Sequence, residues 1–255
     1  MSRPRVDYDR LAPHYDERYA AGAPSGISIT LQRLVSSLAA ERVVEVGCGT
    51  GHWLSALRAS VPRLYGLDPS SGMLEKARAR GEGLPLVRGR GEQLPFQSQS
   101  FDLVVCVNAL HHFEQPDRFV AESHRALGAR GALCVIGMDP AADRDRWYLY
   151  DYFPGTRETD LRRYPSAATI AGWMRAAGFA HSESGIAQRI VDTRVGRSVL
   201  DDPILQKHGT SQLALLSQEA YDAGIARINA ALTDNRETIF PVDISLAMTI
   251  GYMRQ

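Results

Sequence analysis

The run Val43-Val44-Glu45-Val46-Gly47-Cys48-Gly49-Thr50-Gly51-His52-Trp53-Leu54 decides how this chain folds. An apolar segment opening at Arg42 breaks off at Gly47, glycine recurs at Gly49 and Gly51, and helix-compatible residues follow from His52 to Leu57. That order reads as strand, tight loop and helix. Glycine carries no Cβ and tolerates positive φ, so such a loop lets backbone approach a ligand closely. The dinucleotide fingerprint G-x-G-x-x-G needs glycine where His52 stands, and a pyrophosphate is poorly matched to the carboxylate of Glu45 just ahead of the first glycine. The triphosphate loop ending in Gly-Lys-Ser/Thr is absent. Downstream, Arg63-Leu64-Tyr65-Gly66-Leu67-Asp68 is a second apolar run, closed by a carboxylate that can accept hydrogen bonds from both hydroxyls of a ribose. An adenosyl group without phosphates fits these constraints.

Outward from the loop, strands and helices alternate. Ile29, Leu31, Leu34, Val35 and Leu38 fall at near-helical spacing in residues 28–40 and predict an amphipathic helix feeding the first strand. Residues 71–80 carry helix formers behind a Ser70 or Ser71 N-cap, and residues 84–89 form a weaker third strand. Phe101-Asp102-Leu103-Val104-Val105-Cys106-Val107 is continuous and β-branched, as a central parallel strand buried on both faces should be. A helix over 118–127 and a strand over 132–137 complete the alternation, which predicts a doubly wound, mostly parallel sheet. From Asp139 the texture changes. Residues 143–164, DRDRWYLYDYFPGTRETDLRRY, are crowded with charge and aromatics around a Pro154-Gly155 turn and read as an excursion over one sheet edge. Residues 167–177 then predict a helix closed by Gly178, residues 181–191 a strand, residues 202–232 further helices, and residues 242–253 a closing strand.

Bulk composition narrows the class. In 255 residues, 44% of them hydrophobic, the chain can build one large α/β domain. Twenty-nine basic residues balance 29 acidic ones, so no global field recruits nucleic acid or an anionic membrane. Cys48, Cys106 and Cys134 lie in or beside apolar runs without a C-x-x-C pair or metal-ligand spacing, and read as reduced core thiols. The first residues lack an apolar core of signal-peptide length, and no stretch approaches the ~20 apolar residues of a membrane span. These features predict a soluble, cytoplasmic protein with no metal, no nucleic acid and no membrane; a monomer or homodimer and a small-molecule substrate are expected on grounds other than composition.

Four motifs in order carry a resemblance: Glu45-Val46-Gly47-Cys48-Gly49-Thr50-Gly51; Gly66-Leu67-Asp68-Pro69-Ser70-Ser71-Gly72-Met73-Leu74; Gly91-Glu92-Gln93-Leu94-Pro95-Phe96; and the strand from Phe101 running on through Asn108-Ala109-Leu110-His111-His112. With them the sequence resembles a class I S-adenosylmethionine-dependent methyltransferase of the type 11 subgroup, which includes ubiquinone/menaquinone C-methyltransferases and many small-molecule methyltransferases. The likeness runs from Tyr8 to Gly137 and is in outline only beyond. It implies a Rossmann-like seven-stranded fold in one domain, with an N-terminal helical lid (1–40), a cofactor-binding core (41–138) and a substrate cap with closing strands (139–255) that includes a helical insertion (196–234). It implies that Gly47, Gly49 and Gly51 pass under the methionine part of S-adenosylmethionine, with Glu45 bonding loop amides or the amino group. Asp68, followed by Pro69, would take the ribose hydroxyls, Met73 would lie against the adenine, Gly91 and Glu92 would hold its edge, and Asn108 would face the sulfonium. Tyr8 and Tyr15, in the pattern YDRLAPHYD, would form the lid, and S-adenosylhomocysteine would be the product.

Methyl transfer from a sulfonium is a direct displacement, so alignment in a closed site is the protein's main contribution. A base is needed only where the acceptor must shed a proton. His111 and His112 follow the fourth strand beside the expected methyl, and His111, nearer Asn108, is the candidate base. His112, His14, Trp147, Tyr150 and Tyr152 are candidate acceptor contacts, the aromatics as a wall over a planar molecule or else as packing of a helical cap. The Asn/Asp-Pro-Pro-Tyr tetrapeptide of amino-group methyltransferases acting on DNA or glutamine is missing, because Ala109-Leu110 follows Asn108. The cysteine pair of arsenite methyltransferases is not evident either. The expectation is a small, aromatic or quinone-like O-, N- or C-acceptor. The alternative is a cofactor-binding protein with a sensing, scaffolding or non-methylation role; a nicotinamide oxidoreductase is disfavoured by the missing third glycine.

Overall fold

The structure, a computed structural model, describes residues 6, 8–12, 15, 16, 25–81 and 83–254. The elements in chain order are α1 (Tyr8–Leu11), α2 (Gly26–Leu38), β1 (Arg42–Val46), α3 (His52–Leu57), β2 (Arg63–Asp68), α4 (Ser71–Ala79), β3 (Leu86–Arg88), β4 (Phe101–Val107), α5 (Pro116–Ala126), β5 (Leu127–Met138), β6 (Arg146–Trp147), α6 (Tyr148–Tyr152), α7 (Thr156–Arg163), α8 (Ala167–Ala177), β7 (His181–Val195), α9 (Ser211–Ala214), α10 (Gln218–Asp234) and β8 (Ile239–Tyr252).

The strands form a single mixed sheet. β3, β2, β1, β4 and β5 are parallel in that order, and β8 runs antiparallel between β5 and β7. The sheet has eight strands rather than the expected seven. The extra one is β6, where Arg146 and Trp147 pair with Asp243 and Val242 on the part of β8 that extends past β5. Two residues carry no periodicity from which to predict a strand.

Alternation along the central strands divides the core. Val43 and Val105 face a cluster with Leu31 and Val35 of α2 and Leu54 and Leu57 of α3. Val44 and Val104 face the other side, with Phe119 and Val120 of α5 and Ile170 and Met174 of α8. β1 and β4 are therefore sandwiched between helices, which explains the apolar runs Val43-Val44 and Leu103–Val107 within them. A third cluster, with Tyr148, Phe153, Val199, Leu213, Ile228 and Phe240, is the core of the cap. β7 is exposed along most of its length, as an edge strand can be, and runs four residues further than its sequence pattern predicts.

The helices start and stop where the sequence supplies caps. Ser70 accepts the Met73 amide at the head of α4, Ser166 the Thr169 amide at the head of α8, and Gly178 ends α8 with φ 103°. The residue 143–164 excursion resolves into β6, α6 and α7, with Gly155 at φ 85° between the two helices. The chain advances from β1 to β3 along one half of the sheet and returns to β4 on the other side of β1. This reversal opens a crevice at the carboxyl ends of β1 and β4, where ligands bind in open α/β sheets. Among the described residues, no helix is long and apolar enough to cross a membrane. The three cysteines are buried and unpaired, and burial pushes the Cys106 thiol well up and that of Cys134 up to about 12.

Candidate functional site

The glycine loop is shaped by what lies next to it. Gly47 and Cys48 donate their amides to the Leu67 carbonyl at 2.7 and 3.0 Å, tying the loop to β2. Gly47, at φ 77°, presses so closely on Ala109 that a Cβ there would collide with the Ala109 methyl. Asp68 closes the arrangement: one carboxylate oxygen accepts the Gly49 amide and the other the Ser70 amide, each at 2.9 Å. Burial raises the Asp68 pKa, with the Ser70 and Gly49 amides acting against the rise. At the end of β4, Asn108 adopts φ 49°, a left-handed conformation asparagine tolerates, and anchors its amide on the Ile136 carbonyl at 2.8 Å.

A cavity of about 910 Å³ runs over this crevice. Tyr8, Tyr15, Gly47, Gly49, Asp68, Pro69, Met73, Gly91, Glu92, Asn108, His111 and His112 all line it. The N-terminal segment is pinned over one side. Asp9 accepts the Ser70 hydroxyl at 2.7 Å and the Gly72 amide at 2.8 Å, and the first of these bonds is the main cause of its lowered pKa. Asp16 binds Thr50 Oγ1 at 2.5 Å and Arg80 at 2.7 Å. Tyr8 then places its hydroxyl 2.5 Å from His112 Nε2, with its ring edge-on to Tyr15 at 5.9 Å. His111 is buried, 3.8 Å between ring centroids from His112, and stacked on Tyr164 at 3.9 Å and 20°. Burial, reinforced by the neighbouring His112 and Arg163, holds the His111 pKa well below the usual imidazole range.

Residues 44–135 match the family model described as a methyltransferase domain. A demethylmenaquinone methyltransferase of Geobacillus kaustophilus is 30% identical over 169 residues, which cover 56% of this chain and 72% of that protein. The chain belongs to the class I S-adenosylmethionine-dependent methyltransferases. A demethylmenaquinone methyltransferase of Clavibacter sepedonicus is 28% identical over 204 residues, 69% of the methyltransferase chain and 82% of the relative. In fold, the methyltransferase is similar to the crystal structure of the YcgJ protein of Bacillus subtilis, with a TM-score of 0.62 at 20% identity, covering 89% of this chain and 98% of that one.

Several expectations need correction in this methyltransferase. Glu45 bonds no loop amide, because Leu67 and Asp68 already take those of Gly47, Cys48 and Gly49. It lies behind the loop, fully buried and not on the cavity wall, and neither carboxylate oxygen has a hydrogen-bond partner. Burial, with the Asp68 charge beside it, pushes its pKa well above the usual carboxylate range. Gly51 caps α3 at φ 78° and faces Ala77 rather than the cavity. Glu92, by contrast, lines the cavity, and its Oε1 also accepts the Glu114 amide at 2.8 Å, anchoring the turn leading into α5. His14 lies outside the described residues.

Trp147, Tyr150 and Tyr152 form no wall of the cavity. Trp147 is buried in the cap core, Tyr152 packs on Phe240 at 5.2 Å between ring centroids, and Tyr150 donates its hydroxyl to Asp160 at 2.9 Å. The cap's contribution to the cavity is instead Arg163, at the end of α7. It stands in an Arg162-Arg163-Tyr164 run that reads like any charged helix end. Asp160 and Tyr164 are its neighbours in sequence, but His111, on which Tyr164 stacks, joins them only in the folded chain.

Proposed function

We propose that this methyltransferase binds S-adenosylmethionine along Asp68, Met73 and the Gly47–Gly49 loop and transfers its methyl group to a small, quinone-like or hydroxy-aromatic acceptor held toward His111, leaving S-adenosylhomocysteine. The observation that carries the proposal is one continuous cavity with the glycine loop and Asp68 on its wall together with His111 and His112. Its 910 Å³ lies near the top of the roughly 300–1,000 Å³ usual for small-molecule sites and leaves room for a second, smaller molecule beside a nucleoside.

The residues present fit the cofactor. The crowding at Gly47 leaves no space for a side chain at that position, so backbone forms the floor there. The Asp68 carboxylate, one amide on each oxygen, keeps lone pairs for ribose hydroxyls and disfavours a phosphate at the same place. Leu67 and Met73 give an apolar surface for an adenine ring. When bound, the cofactor supplies a methyl group on cationic sulfur, which is already an activated leaving arrangement. The chain's own part is to align the acceptor, exclude water and manage one proton. Tyr8 and Tyr15 cover the cavity, and His112 is fixed by the Tyr8 hydroxyl. His111, held neutral by burial, keeps a lone pair for an acceptor proton. In this reading residues 1–40 act as lid, 41–138 as cofactor core and 139–255 as acceptor cap of one domain, and the demethylmenaquinone relatives support a quinone-type acceptor.

The test is turnover of S-adenosylmethionine with 1,4-dihydroxynaphthalene and a matched set of aromatic amines, read as S-adenosylhomocysteine and methylated product by mass spectrometry. Methylation of the hydroxy-aromatic compound is expected. Bound cofactor with turnover on the amines alone would overturn the acceptor assignment.

A further inference from the structure

The cap places a buried cation on the wall of the cavity with one donor unused. Arg163 is 5% exposed and is the last residue of α7. Its Nη1 meets Asp160 Oδ1 only at 3.5 Å, and its Nη2 has no hydrogen-bond partner. Asp160 is engaged more closely elsewhere, by the Tyr150 hydroxyl at 2.9 Å and the Gln212 amide at 2.8 Å. The next residue, Tyr164, stacks on His111, which fixes the end of α7 against the turn after β4 that carries the candidate base. A buried guanidinium with an idle N–H is costly to keep, and its planar fork matches an oxyanion better than any neutral group.

We infer that Arg163 binds an anionic oxygen of the acceptor, so that the methyltransferase takes a hydroxy-aromatic or enolisable compound as its phenolate or enolate. This rests on the proposed methyl transfer in the same cavity. The acceptor's O–H proton passes to the His111 imidazole, and the electron pair left on oxygen is shared between Arg163 and the conjugated ring. That pair, at oxygen or at the ring carbon conjugated with it, forms the new bond to the methyl carbon, while the pair of the broken S–CH₃ bond stays on sulfur. Where carbon is methylated, the displaced ring proton returns to oxygen. One proton in all leaves the acceptor, and His111 gives it to water. A weakly basic imidazole can take a phenolic proton only where a cation stabilises the oxyanion left behind, and Arg163 is that cation. Arg90, the other arginine on the cavity wall among the described residues, is exposed and faces Glu114 at 3.5 Å.

The test uses 1-naphthol and protein saturated with S-adenosylhomocysteine, reading the absorption of the naphtholate against pH for wild type, Arg163→Gln and Arg163→Lys. In wild type the bound naphthol is expected to ionise at least one pH unit lower than in solution, about a tenfold gain in the anion at a given pH. Arg163→Gln should abolish that shift and weaken naphthol binding by about tenfold, and Arg163→Lys should restore part of both. All three proteins should bind S-adenosylhomocysteine alike, which also shows that the variants fold. An unchanged shift in Arg163→Gln overturns the inference, as does equal binding of 1-naphthol and 1-naphthylamine, or no naphthol binding by a protein that binds S-adenosylhomocysteine. Failure of wild type to bind S-adenosylhomocysteine overturns instead the methyl-transfer reading beneath it.

Discussion

Glu45 and His111 are both buried, and burial displaces their pKa values in opposite directions, each toward the neutral form. The Glu45 carboxyl is raised in the folded chain, so between its ordinary range and its folded pKa the unfolded state loses a proton that the folded state keeps. Stability attributable to Glu45 is therefore complete below the ordinary carboxylate range and falls as pH rises. Glu45→Gln removes this slope, so the variant's melting temperature should gain on wild type between pH 5 and pH 8 in cofactor-free thermal scans; a constant difference would show that Glu45 is ionised in the fold. His111 works the other way. With its folded pKa depressed, it stays unprotonated through pH 6–7, and kcat/KM for a hydroxy-aromatic acceptor should show no imidazole titration there. His111→Gln should lower kcat by about 10²-fold or more, the usual contribution of a positioned base. A rate that falls with the ordinary histidine range would assign the proton to another group.

At the scale of the element, the loop between β1 and α3 is constrained by contact as well as by conformation. Gly47 and Gly81 share nearly the same backbone, φ 77° and φ 76°, but a Cβ at Gly47 meets Ala109 whereas one at Gly81 meets nothing within 4 Å. Gly81→Ala should cost only the left-handed penalty of about 1–2 kcal/mol. Gly47→Ala should cost a further ~1–3 kcal/mol from overpacking and weaken S-adenosylhomocysteine binding, measured by denaturation and by calorimetry. Equal losses would mean that the loop yields freely. The elements of this half were legible because their signals are local. β2 and β4 fall on the residues predicted for them, 63–68 and 101–107, and α8 on 167–177, each being an apolar run or a capped helix bounded by its own neighbours. Residues 143–164 show in sequence only as an excursion. Their aromatics serve the cap core with Phe240 and Ile228, partners some eighty residues away in sequence that no window contains. The site divides in the same way. The residues flanking Gly47, Asp68 and Asn108 announced themselves by motif, whereas Arg163 depends on contacts with His111 and Asp160 and on Gln212 holding Asp160 in place.

The whole molecule joins a parallel sheet that presents a glycine loop to a cap that presents an arginine. The two meet where Tyr164 stacks on His111, and the cap keeps its shape there through Tyr150, Asp160 and Gln212. Asp160→Ala leaves the Tyr150 hydroxyl and the Gln212 amide without their acceptor and Arg163 without its carboxylate. It should destabilise the chain by about 3 kcal/mol or more in chemical denaturation, and raise KM for the acceptor while S-adenosylhomocysteine affinity stays close to wild type. A parallel loss of cofactor affinity would show that cap and core do not divide the work. The central claim is that the crevice at the ends of β1 and β4 holds the adenosyl cofactor on Asp68. Calorimetric titration of S-adenosylhomocysteine into wild type and Asp68→Ala tests it most directly. Saturable one-site binding to wild type, weakened by about tenfold or more in a still-folded Asp68→Ala, is the predicted result, the loss of about 1.4 kcal/mol expected for a charge-assisted ribose contact. No binding to wild type, or equal binding to both proteins, would contradict it.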